Sequence, residues 1–146
     1  MISKSFSEYV LRFDGACKGN PGLAGAGAVI YLSKEKEEIY WSGYQFIGEH
    51  ATNNIAEYEG LLLGLKYAIE KGITHLRVEG DSLLVIKQMK GEWKVSAKHL
   101  REYHQAAKDL EQLFLSITYE HIYRNRNQLA DEFANQAIVE FQNSNK

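Results

Sequence analysis

The pattern of apolar residues changes character once along the chain, near Thr52, and that change limits the fold more than any other feature. Before it, three runs have strand character: EYVLRFDG, GAGAVIYLSK and EEIYWSGYQFIG. The connections between them are short and carry Gly, Asn, Pro or charge, which predicts an antiparallel meander. After it, NNIAEYEGLLLGLKYAIEKG places Leu61, Leu65, Ala68 and Ile69 on one helical stripe, with Asn at its start and Gly72 at its end. A short strand, HLRVEGD, leads to a helix, SLLVIKQMKG, closed by Gly91. A longer helix, KHLREYHQAAKDLEQLF, a strand, SITYEHIY, and a last helix, QLADEFANQAIVEFQ, complete the series. Three hairpin-linked strands followed by alternating helices and strands predict an α/β fold, a mixed sheet with helices packed on its faces. The closing QNSNK is expected to fray.

At 146 residues the chain suits one domain, 1–146, with a full core and no need of covalent staples. No repeat, linker or low-complexity run divides it. Cys17 is the sole cysteine, so no intramolecular disulfide can form and no oxidising compartment is implied. MISKSFSEYV lacks the apolar core of a signal peptide, and no apolar run has the length to span a bilayer. The expectation is a soluble, cytoplasmic monomer without a membrane partner. The formal charge of −2 does not favour a polyanion, but its distribution is uneven. Lys87, Lys90, Lys94, Lys98 and Arg101 stand against one acid, Glu92, with Trp93 among them, a basic strip able to hold nucleic acid. The plainer reading is a solvated helix face and loop.

Four acids carry the chemistry. Glu57 lies four, eight and eleven residues before Leu61, Leu65 and Ala68, so it tops the apolar stripe. Gly60 and Gly64 flank the same line and would let the helix approach the sheet closely. A capping box of Asn54 with Glu57 would also explain a glutamate near a helix start. Asp14 ends the first strand and Asp81 follows LRVEG. Ligands in open α/β sheets gather beyond the carboxyl ends of strands. If these two strands run parallel as neighbours, their aspartates lie side by side. Each has a plainer reading: an Asx-type turn before Gly15 for Asp14, and helix capping for Asp81, with Ser82 equally able to cap. Asp131 falls in the first turn of the last helix, beside Ala130, Phe133, Ala134, Ala137 and Phe141, where the helix dipole favours an acid anyway.

Taken as a set, the four acids can all reach one edge of the sheet. Clustered carboxylates raise one another's pKa unless cations compensate. Hard divalent ions with oxygen ligands are the natural compensation, and two such ions held close together suit in-line phosphoryl transfer.

FDGACKGNPG, TNNIAEYEGLLLGL, VEGDSLLVI and NQLADEFANQA, in that order, resemble the four signature segments of type 1 ribonuclease H, over nearly the whole chain. The resemblance implies a five-stranded mixed sheet with helices on both faces. It also implies two-metal-ion hydrolysis of the RNA strand of RNA/DNA hybrids, with Mg2+ or Mn2+, leaving 5′-phosphate and 3′-hydroxyl ends. By motif, Asp14, Glu57, Asp81 and Asp131 match the metal-binding, catalytic carboxylates. Asn20, Thr52 and Asn54 match substrate-contacting positions, Thr52 at a DNA-strand phosphate and the two asparagines near the minor groove, where the 2′-hydroxyl distinguishes RNA. GACKGNPG lacks the order of a P-loop, so its glycines serve the turn and the approach to a duplex.

The chain departs from the family pattern in three places. YRNRNQLAD lacks the loop histidine of many bacterial relatives, so either Arg124, Asn125 or Arg126 substitutes or that assistance is absent, while nearby His121 is expected to face out from its strand. The segment from Gly91 to His99 is too short for the extra basic helix of some relatives, a task that Lys87, Lys90, Trp93 and Lys94 could take over. Ala16 and Leu83 stand where some relatives carry polar residues. Double-stranded RNA as an additional substrate, a catalytically silent binding module on the same fold, and a housekeeping α/β domain whose four acids are all caps are the rival readings. Silent relatives typically lose a carboxylate, and this chain keeps all four.

Overall fold

The computed structural model describes residues 9–32 and 38–145. Strand β1 (Tyr9–Lys18) pairs antiparallel with β2 (Gly22–Tyr31), which pairs antiparallel with β3 (Ile39–Ala51). After helix α1 (Asn53–Glu70), strand β4 (His75–Gly80) lies parallel to β1. Helices α2 (Leu83–Met89) and α3 (Lys98–Glu111) lead to β5 (Ser116–His121), parallel to β4. A 3-10 turn (Arg124–Arg126) and α4 (Gln128–Ser144) complete the chain. The strand order β3-β2-β1-β4-β5 is the five-stranded mixed sheet expected from the sequence. The predicted strand ends at Glu8, at 33–34 and at Glu37 lie outside the described residues.

Side chains alternate across a strand, so β1 serves two cores at once. Leu11 and Phe13 pack with Ala28, Ile30 and the α1 stripe of Leu61, Leu65 and Ala68. Val10, on the opposite face, joins Val29, Tyr31 and Ala130 of α4. Ala16 continues that face against Ala134 and Ile138. Helices therefore cover both faces, and α1 and α4 clamp the carboxyl end of β1 between them.

Two expectations need correction. The cap of α1 is Thr52, whose hydroxyl accepts the Ile55 N–H at 3.2 Å, so Asn54 lies inside the first turn and forms no capping box with Glu57. Of the tail QNSNK, residues 142–144 are helical, and Lys146 lies outside the described residues. Phe141 stacks on Phe46 with centroids 3.9 Å apart, and Ser144 Oγ and Asn145 Nδ2 both donate to the Phe141 carbonyl. Those contacts anchor a turn that composition alone marks as loose.

The α4-facing side of the sheet also holds a buried ion network. Arg12 Nε donates to Glu79 Oε1 at 2.8 Å and Arg77 Nε to Glu79 Oε2 at 2.9 Å, while Arg77 also pairs with Glu120. Burial alone would raise the Glu79 carboxyl, but the hydrogen bonds from Arg77 and Arg12, reinforced by their charges, hold it below its ordinary value of 4.5. A depressed carboxylate contributes stability above that ordinary value and loses it as pH falls through the folded value. Glu79→Gln keeps the shape and removes the charge, taking the Glu79 carboxylate away from the buried Arg12 guanidinium. It should lower the unfolding free energy at pH 7 by about 3 kcal/mol in urea titrations, with the deficit shrinking at acidic pH. A variant within about 0.5 kcal/mol of wild type would show that the network contributes little.

Candidate active site

Phe13 and Gly80 are partners in the parallel β1–β4 ladder, so the next residues, Asp14 and Asp81, emerge side by side at the carboxyl ends of their strands. Ser82 caps α2 by accepting the Val85 N–H at 3.3 Å, which releases Asp81 from that duty. Glu57 arrives from α1 because the helix can come very close. A Cβ on Gly15 would lie 2.4 Å from the Glu57 backbone nitrogen, and one on Gly60 would lie 2.6 Å from the Asp14 carbonyl oxygen. Any larger residue at either place would push α1, and Glu57 with it, off the strand end.

Asp14, Glu57 and Asp81 each offer a carboxylate oxygen, and all three oxygens lie within 4.8 Å of one another. Asp131, half-buried in the first turn of α4, stands outside that trio. Its Oδ1 accepts from Asn135 Nδ2 at 3.2 Å, and its charge still reaches Asp14. Burial pushes the Asp14 carboxyl up to about 8, and the charges of Asp81 and Asp131 act in the same direction. Hydrogen bonds from Glu57 and from the Gly15 N–H partly offset the rise. Glu57 is pushed well up by burial first, then by the charges of Asp14 and Asp81 and by its hydrogen bond to Asp14. Without a cation, the pair therefore holds a proton that two exposed carboxylates would release.

A divalent ion fits this donor set. The three groups are hard oxygen donors, and Glu57 Oε1 is buried with no hydrogen-bond partner among the described residues. A buried acceptor in that state carries a cost that a cation would remove.

The other expected residues fall into two groups. Asn20 Oδ1 accepts the Asn53 N–H at 3.0 Å, which ties the β1–β2 turn to the start of α1 and gathers Asn20, Thr52 and Asn54 in one place. The basic strip lies on α2 and the segment after it. Glu92 pairs with both Lys87 and Lys90, at 2.7 Å and 3.5 Å. Trp93 is 44% exposed, and Lys94 and Lys98 have no carboxylate partner among the described residues. Arg124 is exposed in the 3-10 turn before α4, and His121 is half-buried, its ring edge-on to Tyr123. Sequence reasoning missed Asn127, which is 1% exposed and donates through Nδ2 to the Phe13 carbonyl at 2.9 Å and to Asp81 Oδ2 at 3.1 Å. Its only sequence signal was an asparagine before a helix, which ordinarily signifies a cap.

Comparison with known proteins places this geometry. Residues 12–137 match a family model described as reverse transcriptase-like. Ribonuclease H of Pseudomonas fluorescens is 31% identical over 153 residues, an alignment covering 95% of this chain and 95% of that protein. LC11-RNase H1, solved in complex with an RNA/DNA hybrid, superposes with a TM-score of 0.85 at 33% identity, covering 92% of this chain and 99% of the other. The chain belongs to the type 1 ribonuclease H family. A bifunctional protein of Mycobacterium tuberculosis is 43% identical over 129 residues, 88% of this chain but 35% of that protein. The chain thus spans about a third of the length of the mycobacterial relatives it matches. The solved N-terminal RNase H domain of that protein has a TM-score of 0.88 at 40% identity, covering 97% of this chain and all of the other. Among the described residues, no helix is long and apolar enough to cross a membrane.

The raised carboxyls give a signed expectation. Asp14 keeps its proton in the folded state to a higher pH than its ordinary 3.8, so the metal-free fold should lose stability as pH rises from about 4 through about 8. Asp14→Asn removes one charge from the cluster and should melt at a higher temperature than wild type at pH 8 in EDTA. Adding Mg2+ should raise the wild-type melting temperature and move the variant's much less. Calorimetric scans across pH, with and without the ion, would measure both effects. Identical wild-type scans with and without Mg2+ would argue against a metal site here.

Proposed function

We propose that this chain acts as a metal-dependent endoribonuclease that hydrolyses the RNA strand of RNA/DNA hybrids, leaving 5′-phosphate and 3′-hydroxyl ends. The observation that carries the reading is the trio of Asp14, Glu57 and Asp81 oxygens within 4.8 Å, with Glu57 Oε1 buried and unpartnered. Family relatives named ribonuclease H, and a relative solved with a hybrid, support the same reading. Asp14, Glu57 and Asp81 would hold the ions, with Asp131 completing the set at the mouth of the site. Two bound Mg2+ or Mn2+ ions would supply an activated water and countercharge for the leaving oxygen.

The chain's own residues orient the duplex and keep the carboxylates in place. Asn20, Thr52 and Asn54, gathered at the start of α1, suit contact with the minor groove and a DNA-strand phosphate. The duplex would then run from that corner across the carboxylates towards the basic strip. Lys90, Trp93 and Lys94 would serve there as the handle, and Arg124, exposed in the turn before α4, would add a further substrate contact. A single domain working as a monomer suffices for this arrangement. The lone free thiol, Cys17, suits a cytoplasmic setting.

The direct experiment is gel-resolved cleavage of one labelled RNA strand, presented as single strand, RNA duplex and RNA/DNA hybrid, with Mg2+, Mn2+ or EDTA. Cutting of the hybrid with either metal, and none in EDTA, is the expected outcome. Cutting of the RNA duplex as well would widen the substrate class. Binding of the hybrid without any cutting would overturn the enzymatic reading. Asp14→Asn should reduce hybrid cleavage by more than about 100-fold, a loss set by removal of a metal-bearing charge, while the hybrid Kd changes only a few-fold. Lys90→Ala with Lys94→Ala should raise that Kd and reduce the slope of log Kd against log salt by one to two units, roughly one per lost phosphate contact. An unchanged slope would return the strip to a solvated surface.

A further inference from the structure

An asparagine at a helix N-cap ordinarily spends its side-chain oxygen on the N–H groups of the first turn. Asn127 occupies that position in α4 and makes no side-chain cap bond. Its carboxamide is turned the other way. Nδ2 donates to the carbonyl of Phe13, the residue before Asp14, and to Oδ2 of Asp81. Both neighbours are acceptors, so the orientation of the amide is fixed by chemistry rather than by choice. The Asn127 backbone carbonyl accepts the N–H of Asp131 at 3.2 Å. One buried residue therefore holds the strand end that carries Asp14, the side chain of Asp81 and the helical turn that carries Asp131.

We propose that Asn127 is a positioning residue for the metal-binding carboxylates, acting on Asp81 directly and on Asp14 and Asp131 through the backbone. The inference rests on the metal-dependent reading of the site. Its donation to Oδ2 at 3.1 Å restrains rotation of the Asp81 carboxylate, the group that offers an oxygen within 4.8 Å of those of Asp14 and Glu57. Its Oδ1 is buried with no hydrogen-bond partner among the described residues. An unsatisfied acceptor is tolerated here because releasing it by rotation would place an oxygen against the Phe13 carbonyl and the Asp81 carboxylate together. The side chain is thus held by its partners at a cost, the mark of a group kept for geometry rather than for packing. Partners of this kind, one step behind a metal ligand, typically change metal affinity ten- to a hundred-fold when removed.

The test compares wild type, Asn127→Ala and Asn127→Ser in two measurements. One is calorimetric titration with Mn2+ alone, and the other is the Mg2+ concentration giving half-maximal hybrid cleavage. Asn127→Ala should bind Mn2+ about ten-fold more weakly and need about ten-fold more Mg2+, with the rate at saturating metal within a few-fold of wild type. Asn127→Ser retains one donor and should fall between the two, and it carries the measurement if the alanine variant does not fold. A purely structural role would lower the melting temperature and leave both metal titrations where they were. A folded variant with wild-type Mn2+ affinity therefore overturns the proposal while leaving the metal-dependent reading intact. A wild-type protein that neither binds Mn2+ nor cleaves in its presence overturns that reading and this proposal together.

Discussion

Everything at the site depends on the register of one parallel strand pair. Arg12 stands opposite Glu79 in the β1–β4 ladder, and Phe13 opposite Gly80. A slip of one residue would turn every side chain of one strand to the other face. Here the slip would also separate a buried guanidinium from its carboxylate, which is among the most costly events inside a protein. The Arg12–Glu79 pair therefore acts as a register pin two residues before the acids. It is a long-range contact, 67 residues apart in sequence, and it forms only when β1 and β4 align as the site requires.

Register alone would give two neighbouring aspartates at a sheet edge. The third acid needs a helix laid almost against the strand backbone, which Gly15 and Gly60 permit by having no Cβ. The fourth needs α4 to begin close to the same edge. Asn127 supplies that link by bonding β1, Asp81 and the first turn of α4 at once. Sheet pairing, close helix packing and a diverted cap residue thus each bring in a separate member of the set.

Much of this was legible in the sequence, for identifiable reasons. The strands and helices followed from periodicity, and Asp14, Asp81 and Glu57 stood out as acids at strand ends or on an apolar stripe. Asp81 could be read as a cap only until Ser82 was seen to make the bond itself. Capping was harder to read at α1, where Thr52, Asn53 and Asn54 are all acceptable caps and local sequence does not choose among them. Arg12, Glu79 and Asn127 were not legible at all. Arg12 and Glu79 are polar residues within alternating strands, a pattern that normally means solvent, and only the sheet pairing shows that they meet in the interior. Asn127 resembled an ordinary cap because its real partners come from β1 and from the turn after β4.

The same arrangement explains why the site works against the stability of the fold. Three carboxylates brought within 4.8 Å, with burial raising Asp14 and Glu57, cost folding energy at neutral pH. The surrounding protein offers little relief. Arg12 and Arg77 pair with Glu79, Arg77 with Glu120 too, and among the described residues no lysine or arginine forms an ion pair with Asp14, Glu57 or Asp81. Charge placed elsewhere follows a different logic. Glu92 pairs with both Lys87 and Lys90 on the strip and offsets one of their two charges, while Lys94, next to the exposed Trp93, and Lys98 have no carboxylate partner among the described residues. A fold that pairs its cations with acids at a distance, and leaves its most crowded acids uncompensated, reserves that position for a charge from solution. A divalent cation, a hard acid that takes oxygen donors, is consistent with that requirement at Asp14, Glu57 and Asp81.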